Sequence, residues 1–154
     1  MPTGATVEQQ VMADLLSSVR AINGGPTYNK SVAFAREQQS DVFEVEALPA
    51  VLLVHSETTY DDSRLGIIEC NMDVVAVLAV QAEGDWAASL RLLASDVSNK
   101  LREDWTRGGI AVTTQVRGLA IFDADEVGSV SVASAQMLVS VYFRHLYADT
   151  TSAQ

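Results

Sequence analysis

One cysteine and two histidines are the side chains in this sequence best suited to nucleophilic or metal chemistry. His55 and His145 form no His-x-x-x-His frame, and Cys70 has no second cysteine for a Cys-x-x-Cys pair, so the spacing does not predict a zinc site. A dyad of Cys70 with His55 is the remaining catalytic arrangement. Because Cys70 lies on the apolar side of a strand-like segment, we interpret it instead as a small buried core residue.

Acidic and glycine-rich segments offer no stronger catalytic pattern. Asp61 and Asp62 could work as an acid–base pair only in a closed cleft, and the polar residues around them favour solvation of both. Residues 123–128 resemble part of a calcium loop but lack its glycine and terminal glutamate spacing. Gly24 and Gly25 lack the lysine of a phosphate loop. The sequence therefore predicts no catalytic, cofactor-binding or metal-binding residues, and we do not expect an enzyme.

The elements that position these residues include a strand, an acidic segment and a second, longer strand. Pro49 precedes a short apolar run, residues 50–54, which favours a buried strand because a proline fits a strand's first position. Residues 55–64 are polar and acidic, and we predict that residues 56–66 form a projecting loop. Residues 67–82 alternate with period two, which predicts a strand with one face on the core.

The second half of this longer strand is apolar on both faces. Val75, Val77 and Ala79 lie on the side opposite the continuous apolar face. A helix or a neighbouring subunit must cover such a surface, and we predict that these three residues contact a second subunit.

Two amphipathic helices are predicted from capping residues and apolar spacing. Thr6 and Gln9 form a capping-box pattern, and Asp85 is a natural N-cap for a second helix. Glycine pairs at residues 24–25 and 108–109 follow the two helices. The apolar stripes consist of Val7, Val11, Leu15, Val19 and Ile22 in the first helix, and Trp86, Leu90, Leu93, Val97 and Leu101 in the second.

The complete pattern predicts an α+β fold in a single domain, residues 6–149, with flexible termini at 1–5 and 150–154. We expect two main helices on a mostly antiparallel sheet of about five strands, in the order α-β-β-β-α-β-β. Further strands are predicted at residues 28–36, 41–47, 111–122 and 129–147, with an exposed acidic loop at 123–128.

Composition limits the setting in which the chain works. A net charge of −10 argues against gripping nucleic acid, because neutralising phosphates requires clustered Lys and Arg. The longest apolar run falls far short of the ~20 residues that span a bilayer, so no membrane partner is expected. A single cysteine cannot form an internal disulfide, which suggests assembly in a reducing cytosol.

Several of these segments together resemble the tail terminator (tail completion) proteins of long-tailed bacteriophages. The resemblance covers roughly residues 6–149 and concerns pattern and size rather than an invariant motif. It is carried by the opening amphipathic helix, the Leu48-Pro49-Ala50-Val51 run, the Asp73-Val74-Val75-Ala76-Val77 strand, the striped helix of residues 86–101 and the closing Val139-Ser140-Val141-Tyr142-Phe143-Arg144 strand.

The resemblance implies a structural virion protein that is assembled in the host cytoplasm. Its members form a homo-oligomeric ring, expected to be a hexamer, that caps the tail tube protein and docks onto the head–tail connector protein. DNA would pass through the lumen without specific binding, and the negative charge is compatible with such sliding. Four residues of the acidic segment are candidates for contact with a partner or for lining the lumen: Glu57, Asp61, Asp62 and Arg64.

Other interpretations remain open from the sequence. The acidic segment could be an ordinary solvated loop, and the chain could be a different neck component, although connector adaptors tend to be more helical. A small dimeric α+β domain that binds a ligand is the third possibility, and it requires an apolar pocket with convergent polar groups.

Overall fold

The computed structural model describes residues 4–38, 47–122, 125–127, 130–146 and 149–154. Within these residues it contains two helices and seven strands, which confirms the α+β class. The elements in chain order are α1 (Val7–Arg20), β1 (Phe34–Glu37), β2 (Ala50–Arg64), β3 (Ile67–Gln81), α2 (Trp86–Glu103), β4 (Thr113–Ile121), β5 (Asp125–Val127), β6 (Val130–Leu146) and β7 (Asp149–Ala153).

Both helices begin where the sequence predicted. The Thr6 hydroxyl accepts a 3.2 Å hydrogen bond from the Gln9 backbone N–H, and the Gln9 side chain accepts one of 2.8 Å from the Thr6 N–H. This reciprocal pair is the predicted capping box. The Asp85 carboxylate caps α2 by accepting a 3.1 Å hydrogen bond from the Ala88 N–H.

All seven strands belong to one sheet, with β1-β2-β3-β6-β4 side by side and β5 and β7 paired to the ends of β6. Every pairing is antiparallel except that of β1 with β2, which is parallel. β3 lies between β2 and β6, and it pairs with β6 from Ile67 to Gln81 and with β2 from Ile67 to Ala79. The two short strands β5 and β7 are additions to the roughly five strands that the sequence predicted.

The core lies between the two helices and one face of the sheet. Alternate residues of β3 and β6 point to this face and are buried, as period-two alternation requires. The apolar stripes of α1 and α2 belong to the same cluster of buried residues. Its sheet residues include Val51, Leu53, Cys70, Met72, Val74, Ala76, Leu78, Ala135, Met137, Val139, Val141 and Phe143.

The strand predicted at residues 28–36 is mostly wrong, because only its last three residues lie in β1. The buried carboxylate of Asp96 in α2 accepts hydrogen bonds of 3.0 Å and 2.7 Å from the backbone N–H groups of Asn29 and Lys30. These donors are therefore not available to a strand ladder. The strand predicted at 41–47 lies, except for Ala47, outside the described residues.

Two segments that were expected to be irregular form short strands. Residues 125–127 of the predicted acidic loop make β5, which pairs with β6. The predicted flexible terminus from residue 150 onward belongs mostly to β7, because His145 pairs with Ala153 and the Gln10 side chain donates a 2.7 Å hydrogen bond to the Thr151 carbonyl. Polar contacts with α1 and β6 hold this small, polar segment in place.

Candidate functional site

The acidic segment is the outer half of strand β2, so the predicted projecting loop is wrong. β2 continues from Ala50 to Arg64, with irregularities between His55 and Glu57 and between Asp61 and Arg64, and turns back into β3 through Leu65 and Gly66. Gly66 has a φ of 81°, which a glycine adopts without strain. A two-residue turn suffices because most of the polar stretch is paired with β3.

The four candidate contact residues consequently lie in the outer half of β2, which among the described residues pairs with β3 on one side only. Glu57 is directly opposite Asp73, and Asp61 is directly opposite Glu69, so the same face of the hairpin carries acidic groups on both strands. Arg64 is opposite Ile67 at the end of the hairpin. Asp62 is exposed and lies between Asp61 and Arg64 in the strand. Like charges facing each other across a strand pair disfavour folding slightly. Both inner carboxylates have a compensating partner, because Glu69 lies 3.3 Å from Arg144 and Asp73 accepts a 2.7 Å hydrogen bond from the Ser140 hydroxyl.

The predicted inter-subunit residues divide into two groups. Val75 and Val77 are half-buried on the sheet face away from both described helices. Ala79 is fully buried within the chain, in a small cluster with Ala50 and Val132. The prediction of Ala79 as contact surface is therefore wrong, because the parallel strand β1 brings apolar residues over this end of the sheet.

We call the surface around Val75 and Val77 the open face, and it also includes Val54 and Leu138. These four residues are neighbours because Val54 pairs with Val75, and Val75 pairs in turn with Leu138. All four are half-buried, and both described helices pack on the opposite side of the sheet. The open face is therefore an apolar band that continues directly into the acidic half of the hairpin.

Glu8 at the start of α1 holds the acidic half of β2 in position. Its Oε1 accepts a 2.6 Å hydrogen bond from the Tyr60 hydroxyl, and its Oε2 accepts one of 3.2 Å from the Thr58 hydroxyl. The Nε2 atom of His55 lies 2.7 Å from the Thr58 hydroxyl oxygen and 3.8 Å from Glu8 Oε2. Each polar group in this cluster has a partner inside it, so the cluster ties strand to helix.

The hydrogen bond with Glu8, followed by burial, raises the pKa of Tyr60 to about 12. We expect Glu8→Ala to lower the pKa of Tyr60 towards the ordinary value of about 10, because the carboxylate no longer stabilises the neutral phenol. Alkaline titration of phenolate absorbance measures this change, with Tyr60→Phe in both backgrounds to assign the transition. An unchanged titration in Glu8→Ala would show that the hydrogen bond is not formed in solution.

The structure separates the two members of the possible catalytic dyad. Cys70 pairs across the hairpin with Tyr60, whereas His55 pairs with Val74, about 13 Å further along β3 at the usual rise per residue. Cys70 is fully buried, and burial raises the pKa of its thiol to about 11, so the thiol stays protonated near neutral pH. Cys70 is therefore a core residue, as the sequence suggested.

His145, the other histidine, is buried at the end of β6. Its Nδ1 atom lies 2.9 Å from the Leu146 carbonyl oxygen, and its ring is 6.5 Å from that of Phe143. In the part of the chain that the structure describes, no three His, Cys, Asp or Glu side chains come together as a metal site would require. The described helices are also too short or too polar to cross a bilayer.

A second surface, which sequence reasoning missed, lies between the end of α2 and strand β4. This open groove, the Arg–Trp groove, has a volume of about 450 Å³. Its lining residues are Arg102, Trp105, Thr114, Gln115, Val116 and Arg117. Trp105 stands four residues after Leu101, but the helix ends at Glu103, so its indole leaves the buried stripe and is 54% exposed.

No protein-family model matches the chain, and no curated protein is significantly similar to it. A functional proposal therefore rests on the resemblance in sequence pattern and on the geometry of the open face, the acidic hairpin and the Arg–Trp groove.

Proposed function

We propose that this chain is a structural virion protein whose copies form a ring that terminates a phage tail tube and joins the tail to the head connector. The proposal starts from the resemblance in sequence pattern, and the α+β fold with helices on one face of a mainly antiparallel sheet is compatible with it. A non-enzymatic role also agrees with the protonated, buried Cys70 and with the separation of Cys70 from His55.

The open face is the observation that supports this proposal most directly. Val54, Val75, Val77 and Leu138 form an apolar band that neither described helix covers. Burial of apolar surface stabilises association by roughly 25 cal/mol per Å². A neighbouring copy on this band would therefore contribute binding energy, and repetition of such a contact by rotation produces a closed ring.

The negative charge of the chain is also compatible with a ring through which DNA passes. Glu57, Asp61 and Asp62 are exposed on the hairpin, and the chain as a whole carries a net charge of −10. An acidic ring would repel the phosphates of a DNA duplex, so DNA could pass through the lumen without being held.

The expected result for the purified protein is a closed ring, with six subunits as the resemblance implies. Native mass spectrometry gives the number of copies, and negative-stain electron microscopy shows whether the assembly closes. In the virus that encodes the chain, deletion of its gene should give filled heads and separate tails. A purified protein that stays dimeric, together with normal particles in the deletion virus, would contradict the proposal.

A further inference from the structure

The Arg–Trp groove has the properties of a contact surface rather than of ordinary solvated surface. Arg102 and Arg117 are exposed and line the groove together with Trp105, which is 54% exposed. The chain has 10 basic side chains against 20 acidic ones, and two of the basic ones line this groove, with the acidic Glu103 and Asp104 following Arg102 in the chain. Trp and Arg are the residues most enriched in the energetic centres of protein interfaces.

The lining of the groove indicates what kind of group would bind there. Arg102 and Arg117 favour a carboxylate, and the exposed ring of Trp105 favours an apolar side chain.

The acidic end of the β2–β3 hairpin has complementary properties. We call residues 61–66 the hairpin end, where Asp61 and Asp62 are exposed and Leu65 at the turn is fully exposed, at 103%. It offers the Asp62 carboxylate for the arginines and the Leu65 isobutyl group for the Trp105 ring.

The hairpin end cannot reach the groove of its own chain. β2 and β4 are separated by β3 and β6 in the sheet, a distance of roughly 14 Å at the usual strand spacing. The first residue after the turn, Ile67, is already paired with Leu146 of β6, which holds the hairpin end within the sheet. The two complementary surfaces therefore lie towards opposite edges of the same sheet.

We infer that the Arg–Trp groove binds the hairpin end of a second copy of this chain, in a head-to-tail contact. Two different patches on opposite sides of one subunit make a heterologous interface, which closes into a ring when the rotation permits. The inference rests on the proposed ring and adds a polar contact between its subunits to the apolar contact proposed for the open face.

The test is a charge exchange between the two surfaces in the full chain, read by sedimentation velocity across a concentration series. Asp62→Lys and Arg117→Glu should each weaken self-association at least about tenfold, because like charges then face each other across the interface. The combined Asp62→Lys, Arg117→Glu variant should recover most of the affinity. Circular dichroism confirms that each variant is folded.

Matched controls keep the charge change but move it elsewhere. Glu83→Lys and Arg91→Glu alter exposed residues away from both surfaces, and each should associate as the wild type does. Asp62→Lys combined with Arg91→Glu has the same net charge as the charge-exchange variant, and it should remain weakened.

The outcomes separate this inference from the proposed function. A wild-type chain that remains monomeric at every concentration overturns the inference, as does a ring whose affinity is unchanged in Asp62→Lys and Arg117→Glu. In the second case the proposed ring still stands with a different interface. Charge-dependent association that gives open chains and never a ring supports the inference and contradicts the proposed function.

Discussion

Leu93→Ala is expected to lower the free energy of unfolding by roughly 2–5 kcal/mol. Leu93 is completely buried in the middle of α2, within the cluster that joins the helices to the sheet. Shortening the side chain removes its transfer energy and leaves a cavity that the surrounding strands cannot fill. The sequence predicted this burial from the spacing of the apolar stripe, and the structure confirms it.

The neighbouring leucine provides a matched control. Leu92 lies on the same helix but is 42% exposed, so Leu92→Ala makes the same chemical change without a cavity in the core. We expect it to cost well under ~1 kcal/mol. Urea unfolding gives both values, and equal costs for the two variants would mean that the buried face of α2 has been assigned wrongly.

The helices were predictable because their signals are local. A cap such as Asp85 accepts hydrogen bonds from residues within its own first turn, and an apolar stripe repeats at helical spacing. Thr6 and Gln9 are likewise only three positions apart, and their capping box forms as expected. No distant part of the chain has to be known for either prediction.

The acidic half of β2 could not be recognised as a strand from its own residues. Polar, charged sequence usually indicates a loop, whereas the residues here are held by distant partners. Tyr60 and Thr58 bind Glu8 of α1, and the backbone pairs with β3 up to Arg64 and Ile67. Shortening the hairpin should therefore lower the stability of the fold, because Cys70 and Met72 on its second strand are core residues.

Both misjudged surfaces depend on which segments the fold brings together. Ala79 has the apolar character of a contact residue, but β1 and its neighbours bury it within the chain. Conversely, Arg102 and Arg117 are separated by a helix end, a turn and part of a strand, so no spacing rule connects them. Trp105 was the available signal, because it is a large apolar residue just past the end of a helix in an otherwise polar stretch.

Arg107 is the residue whose removal should destabilise the fold most for a reason other than apolar packing. Its guanidinium is fully buried at the end of α2 and donates hydrogen bonds to the carbonyl oxygens of Leu101 and Asp104. A further hydrogen bond of 3.2 Å reaches the Ser18 hydroxyl in α1, and the Asp14 carboxylate lies 3.2 Å away. One side chain therefore satisfies the free carbonyls of a helix end and joins the two helices.

We expect Arg107→Ala to cost roughly 3–5 kcal/mol, the range observed when one member of a buried pair is removed. Asp14 is 32% exposed and can regain water, so most of the cost should come from the buried carbonyls that lose their donor. If the buried carbonyls account for most of the loss, Asp14→Ala should lower the free energy of unfolding less than Arg107→Ala does. If the charge pair dominates, Asp14→Ala should lower it more. Urea unfolding of the two variants distinguishes these alternatives.

Backbone strain at the same position gives a sharper comparison. Arg107 has a φ of 52°, a left-handed conformation that side chains with a Cβ adopt at a cost. Arg107→Gly and Arg107→Ala lose the same hydrogen bonds, but glycine adopts this φ freely. Arg107→Gly should therefore be the more stable of the two by about 1 kcal/mol, although glycine's greater freedom in the unfolded chain offsets part of the gain. If alanine proves equal or better in urea unfolding, the chain after α2 does not hold this left-handed turn in solution.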